Sequence, residues 1–395
     1  MNEWLLANGG VPIRYNLFKL YSMNRETCEI QEELNQFPEV QYWLEQLEER
    51  EEKGIQLEKI HGSHDYRYEN IMGKLSQLGY QSGTEDMDCR CEVYRQALAR
   101  RVAEERGAGL SFKKLYSYYD HELIIAVFLA LAGYRDKAIR QVAEKRINIL
   151  FEFTCQKRYD IYVDGSKLPG VPQQWAAWVI DPDLYADGQI HFPTIHDFVL
   201  LAAVVPWILD LQIAPHSFAL DEEIPGDQRA AAEIIQFVNL DKLKSKIDSI
   251  VSWLFDPGYG EISNRYGYFW IPGGSYSTKA VCWKLDLPDL KAVKAHPGKG
   301  QSLIQRVLHL SALPGAGGYP WMISARDHLD SFRIDDEKAL FPSNYLIEKR
   351  DGYWIFGAHM GMGENRKLKY ARMIESSYWM ELLDHAGSRF SSRLV

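Results

Sequence analysis

The sequence predicts an all-α fold of paired helices, with at most a short β-hairpin near the C-terminal third. Three observations predict it. Apolar residues recur at three- and four-residue spacing through most of the 395 residues, as they do on one face of a helix. Glycines stop these runs at regular places. Two apolar helices end in the same way 54 residues apart, at Leu75-Ser-Gln-Leu-Gly-Tyr80 and Leu129-Ala-Leu-Ala-Gly-Tyr134, and a second helix follows each. That spacing suits one helical hairpin per unit, so about seven units use the whole chain. Hairpins that each bury one face against a neighbour make solenoids or closed rings. Residues 1–395 are read as one helical domain.

The elements follow in order. Ile13–Met23 suits a short helix between Pro12 and Pro38. Asn35–Glu52 carries Val40, Trp43, Leu44 and Leu47 on one face, with glutamates on the other, up to the stop at Gly54. A polar loop, Lys59–Tyr68, leads to a helix over Ile71–Leu78 that ends at Gly79. Glu92–Glu105 is a charged helix, and Leu115–Leu131 a buried one that ends at Gly133. Asp136–Phe153 is amphipathic, and Arg158–Gln173 reads as loop. Ile195–Leu209 is apolar, with Pro206 placed to kink or end it. Arg229–Val238 and Asp241–Leu254 form a helix pair, and Lys367–Leu383 closes the chain. The best strand signal is the aromatic run Tyr353–Phe356.

Composition narrows the function. The balance of 45 Lys and Arg against 54 Asp and Glu gives a net charge of −9, which argues against nucleic acid as a partner. No signal peptide is read at the N-terminus. The longest apolar runs, Leu123–Ala132 and Phe198–Leu209, are too short to span a bilayer. Five scattered cysteines, Cys28, Cys89, Cys91, Cys155 and Cys282, suit a reducing cytoplasm rather than a disulfide framework.

Several residue groups can carry chemistry. The segment from Trp253 to Trp283 interleaves rings and glycines: Trp253, Tyr266, Trp270, Tyr276 and Trp283 can wall an apolar or carbocation-like ligand, or simply fill a core. Asp86-Met-Asp-Cys-Arg-Cys91 places Asp86 and Asp88 where they can donate a proton, hold Mg²⁺ on a diphosphate, or cap a helix. Asp120-His121-Glu122 opens the buried helix from Leu123, with Asp120 as its N-cap or as a group at a cavity edge; His196-Asp197 precedes the other apolar helix alike. His61-Gly-Ser-His64-Asp65 offers His64 and Asp65 as an acid–base pair or a polar turn; no third ligand is placed, so no metal is assigned. The glycine-rich Gly357–Gly363 and Gly315–Gly318 lack the context of a phosphate loop. Gly-x-Ser-x-Gly and His-Glu-x-x-His are absent.

A family resemblance rests on Ile250–Tyr259 with Tyr266-Gly-Tyr268, Tyr276–Trp283 and Leu287-Pro288. Leu340-Phe-Pro342, Glu348-Lys349, Gly352-Tyr-Trp354, Gly357–Met360 and Glu375-Ser-Ser377 add to it, and Ile13-Arg-Tyr15, Val40-x-x-Trp-Leu44 and Lys74–Gly79 are compatible. With these, the sequence resembles uncharacterised bacterial proteins similar to the squalene-cyclase and prenyltransferase α/α toroid. The resemblance implies a ring of helical hairpins around a cavity that holds an apolar small molecule. It implies acid-catalysed chemistry, with Asp86, Asp88, Asp120 and His121 as catalytic candidates. His64, Trp253, Tyr266, Trp270, Tyr276 and Trp283 are then the substrate-binding candidates. The chain departs from that family in two ways. It has no Gln-x-x-x-Gly-x-Trp repeats, and its nearest match to the Asp-x-Asp-Asp acid is Asp86-Met-Asp-Cys89. A non-catalytic ligand-binding or scaffold protein on the same fold is the alternative, and a carbohydrate-active α/α-barrel enzyme a second. The residues do not identify a cofactor.

Overall fold

A computed structural model describes residues 1–47, 55, 57–103, 112–186, 189–213, 240–262, 267–271, 275–279 and 284–391. The chain is all-α with a short β-hairpin. It divides into two compact units: residues 1–97, 128–135 and 288–395 form the first, and 98–127 with 136–287 the second. Among the described residues no helix is long and apolar enough to cross a membrane.

The first unit opens with α1 (Glu3–Asn8), α2 (Val11–Leu20), α3 (Asn24–Asn35) and α4 (Pro38–Gln46). The helix expected from Asn35 begins instead at Pro38, because proline has no N–H to leave unsatisfied in a first turn. Its Val40, Trp43 and Leu44 are buried as the spacing predicted. A short α5 (Leu57–Ile60) precedes α6 (Tyr68–Leu78). Helix α7 (Glu85–Ala103) starts seven residues before the expected Glu92, because Thr84 and Gly83 already serve its first turn: Asp88 N–H donates to the Thr84 carbonyl at 2.9 Å. The Leu129–Tyr134 stretch ends α8 (Phe112–Leu131) within this unit. Both Gly-Tyr steps form the same left-handed cap. Gly79 has φ +93° and Gly133 φ +91°, and the following N–H reaches back five residues, Tyr80 to Leu75 at 2.9 Å and Tyr134 to Leu129 at 3.0 Å.

The unit is completed by α13 (Leu290–Ala295), α14 (Leu303–Ser311), α15 (Pro320–Asp330) and α16 (Ala371–Ser391), the last shifted from the expected Lys367–Leu383. The expected strand at Tyr353–Phe356 is a tight 3-10 turn, Trp354–Phe356. Phe356 N–H and Gly357 N–H bond back to Tyr353 and Trp354, so the chain reverses before it can extend. Only the flanks pair, as an isolated bridge between Glu348 and His359.

The second unit holds the α8 residues before Phe128, then α9 (Lys137–Cys155), α10 (Ile195–Ile213), α11 (Leu240–Leu254) and α12 (Pro257–Gly260). Helix α8 runs unbroken from Phe112, so Asp120 lies inside it and is not the N-cap of a helix starting at Leu123. Pro206 does not end α10, which continues to Ile213. The turn before it is buried, with Leu200, Val204 and Val205 fully enclosed, and that burial outweighs one missing backbone bond. The expected helix at 229–238 lies outside the described residues. Strands β1 (Tyr162–Val163), β2 (Val179–Ile180), β5 (Gly267–Ile271) and β6 (Ser275–Lys279) make one sheet in that order, and β3 (Tyr185–Ala186) with β4 (Gln189–Ile190) a separate ribbon. The β5–β6 hairpin is antiparallel, with Trp270 opposite Tyr276 in register. Arg146 ties α9 to the start of α10 through Asp197, donating from Nε at 2.6 Å and Nη2 at 2.9 Å.

Candidate functional site

Helix α6 carries a polar face on a strict helical spacing, and this face builds the site. Asn70, Gly73, Lys74 and Gln77 fall at i, i+3, i+4 and i+7. Each meets the 348–361 segment. Asn70 Oδ1 accepts from Trp354 N–H at 2.8 Å, while its Nδ2 donates to the carbonyls of Gly62 and His64. Lys74 Nζ donates to Glu348 at 2.9 Å, to Gly361 O at 2.6 Å and to His359 O at 3.4 Å, which uses all three of its protons. Gln77 accepts from the Trp354 indole N–H at 3.0 Å and donates to the His359 and Gly361 carbonyls. Gly73 lies flat under the Trp354 ring: a Cβ there would stand 2.6 Å from Cγ of the indole. Burial pushes the Glu348 carboxyl up, and the Lys74 ammonium and His359 more than reverse this, holding it at about 2.

Trp354 is thereby fixed at its backbone N–H, its indole N–H and one ring face. Around it rings follow in contact. Phe128 meets it edge-on at 5.8 Å between centroids, and Tyr68 meets Phe128 at 6.5 Å. Tyr94 lies 4.3 Å from Tyr68. On the other side the His309 ring lies 5.9 Å from Trp354. Helix α14 presents that histidine. It is fastened along the 354–357 turn by Gln301, whose Nε2 donates to Phe356 O at 3.0 Å, and by Arg306, whose Nη1 donates to Ile355 O at 3.1 Å.

Helices α6 and α14 carry buried polar atoms that are unusual. Gln305 is 2% exposed, and both its Oε1 and its Nε2 lack a hydrogen-bonding partner among the described residues. It precedes His309 by one turn, so the two lie about 40° apart around the helix axis at about 100° per residue. His309 Nδ1 is buried and likewise unpartnered, although the residue keeps partial exposure. Burial, with the Arg306 charge nearby, lowers its pKa to about 3, so the ring is neutral at physiological pH. Tyr68 is 1% exposed and its hydroxyl is unpartnered; burial first, then Cys91 and Tyr94, raises its pKa well above the ordinary value. Buried polar atoms are paired in the great majority of cases, by protein, water or ligand.

The residues singled out from sequence are divided between the units. Asp86, Asp88 and His64 fall in the first, and Asp120, His121, Trp253, Trp270 and Tyr276 in the second. Asp86 is exposed in the first turn of α7. Asp88 accepts from Gly83 N–H at 3.1 Å and from the Tyr134 hydroxyl at 2.7 Å, a cap joined to the neighbouring Gly-Tyr step. His64 is exposed and stacks on Tyr66 at 5.2 Å. Its expected partner Asp65 instead accepts from the Tyr42 hydroxyl at 2.6 Å. His61 Nδ1 lies 2.7 Å from Glu69, whose carboxylate also accepts from Gly62 N–H. Trp253 is 4% exposed and packs with Phe153, Tyr159 and Tyr259, its indole N–H donating to Arg158 O at 2.9 Å. His121 is buried, with Nδ1 3.4 Å from Arg101 Nη1. Tyr266 and Trp283 lie outside the described residues, and of Asp120, Trp270 and Tyr276 only the backbone is described.

Sequence reasoning passed over Tyr68, Phe128, Gln305 and His309, and took Trp354 for part of a strand. One signal was there to be found: the Asn-x-x-Gly-Lys-x-x-Gln face of α6, polar or small at core spacing in an otherwise apolar helix. Gln305 and His309 left none, because their burial depends on where the 354–357 turn crosses α14.

Compared with known protein families, with curated proteins and with solved structures, the chain matches none.

Proposed function

We propose that this protein binds a small, largely apolar, ring-bearing molecule at Trp354, with Phe128 and His309 as flanking rings and Gln305 and Tyr68 as its polar contacts. The observation that carries the reading is the Gln305 side chain, almost fully enclosed, with both amide atoms unpartnered one turn from a neutral histidine on the tryptophan. The ligand class agrees with the apolar small molecule that the squalene-cyclase and prenyltransferase resemblance implies. Of the acid candidates, Asp86 and Asp88 are the two whose side chains are described. Asp88 is spent on a cap, Asp86 faces solvent, and the Glu348 carboxylate is paired with Lys74. A binding function is the reading these orphaned atoms support, with no proton-donor role for Asp86 or Asp88.

The test is native mass spectrometry of freshly purified protein, joined to a thermal-shift screen of aromatic fragments. The reading expects a co-purifying small molecule, or stabilisation by fragments that is lost in Trp354→Leu. A bare mass together with no responding fragment overturns it.

A further inference from the structure

We infer that the polar end of the ligand is an uncharged group with a donor and an acceptor side by side, as in a carboxamide or lactam, and that Gln305 is the residue that selects it. This deepens the site proposed above and rests on that reading.

The chemistry of the orphaned atoms decides between ligand classes. Gln305 offers one acceptor, Oε1, and one donor group, Nε2, and both are unpartnered. A second amide laid against it satisfies both at once, through two antiparallel N–H···O bonds. A carboxylate can accept from Nε2 but sets its other oxygen against Oε1. An ammonium or amidinium can donate to Oε1 but faces the Nε2 protons. Either charged group would also have to shed its hydration on burial. Arg306, the buried cation on the same helix, donates from Nη1 to Ile355 O and holds its guanidinium over the Phe356 ring at 5.8 Å, and its charge lies near enough to His309 to lower that ring's pKa. It also sits about 100° around the helix from Gln305. His309, one turn on, contributes a neutral imidazole, which can donate or accept according to its tautomer but carries no charge for an anion. The rest of the site is ring. Trp354 and Phe128 are enclosed and pack edge-on at 5.8 Å, and His309 beside Trp354 keeps partial exposure.

Benzamide, benzoate, benzamidine and toluene form a matched set of one ring with neutral, negative, positive and no polar ends. Their binding to the full chain is measured by saturation-transfer NMR and competition. Benzamide is expected to bind at least tenfold more tightly than benzoate or benzamidine, with toluene binding weakly. Gln305→Met is expected to bring benzamide down to the toluene level and leave toluene unchanged, and Gln305→Leu serves if the methionine variant misfolds. Benzoate or benzamidine binding as well as benzamide overturns the inference. So does benzamide binding that survives loss of the amide; in both cases toluene binding leaves the ring-ligand reading standing. Failure of all four probes overturns the inference and that reading together.

Discussion

Replacing Gln305 by methionine should make the ligand-free protein more stable, which is the opposite of what removing a buried hydrogen-bonding side chain ordinarily does. The side chain is 2% exposed and neither amide atom has a partner among the described residues. A buried polar group left unsatisfied costs about 1–3 kcal/mol. Methionine has nearly the same length and volume, and a volume-conserving swap costs under about 1.5 kcal/mol in repacking. The difference is a gain of about 1 kcal/mol. It is read as a rise in the urea midpoint at constant slope, on protein freed of any bound small molecule by unfolding, dialysis and refolding. Ligand should invert the order. Benzamide stabilises the wild type by mass action, in proportion to the logarithm of its concentration over Kd, and should leave the variant unmoved. If ligand-free Gln305→Met loses 1 kcal/mol or more, by the same order of estimate, the amide is hydrogen-bonded in the fold and the reasoning fails.

Other substitutions test the frame that holds Trp354. Gly73→Ala drives a methyl into the indole, where a Cβ would lie 2.6 Å from Cγ, and should cost about 1–3 kcal/mol in chemical denaturation. Lys74→Met leaves Glu348 without its ammonium; since that carboxylate keeps 29% exposure, the loss should be about 2–4 kcal/mol, below the range for fully buried pairs. The same variant should also lose the acid limb of stability, because the depressed Glu348 pKa of about 2 contributes above the unfolded value of about 4.3 and is lost as pH falls towards 2. His309 works in the other direction. Its folded pKa of about 3 lies below the unfolded value of about 6.5, so the unfolded chain takes up the proton first and stability drops as pH falls. Urea midpoints should show about 2 kcal/mol of this loss between about pH 7 and pH 5, absent in His309→Gln. Asp88→Ala should cost about 1 kcal/mol through the lost cap, whereas Asp86→Ala, exposed in the same turn, should change thermal stability little.

Local signals in the chain were legible where they depend on neighbours in sequence. The stops at Gly79 and Gly133, the buried face of Val40, Trp43 and Leu44, and the apolar helices around Leu129 and Leu200 all follow from spacing and from what glycine alone tolerates. The errors came where a local preference met a tertiary one. Tyr353–Phe356 has the composition of a strand, but Asn70 and Gln77 hold both N–H groups of Trp354 and the segment folds into a turn. Pro206 should interrupt a helix, but the enclosed turn before it, with Leu200, Val204 and Val205, keeps α10 continuous. Asp120 looked like a cap only because the apolar run begins just after it. The site itself was less legible. Trp253, which drew attention, has its indole N–H satisfied in a packed core. The residues proposed to bind a ligand lie far apart in sequence, at 68, 128, 305, 309 and 354, and nothing local relates them.

A crystal structure of the protein grown with benzamide tests the central claim most directly. The account predicts a flat molecule against Trp354 whose amide meets both Oε1 and Nε2 of Gln305 at hydrogen-bond distance. A Gln305 side chain bonded to protein groups on both atoms, with nothing bound beside the indole, would contradict it.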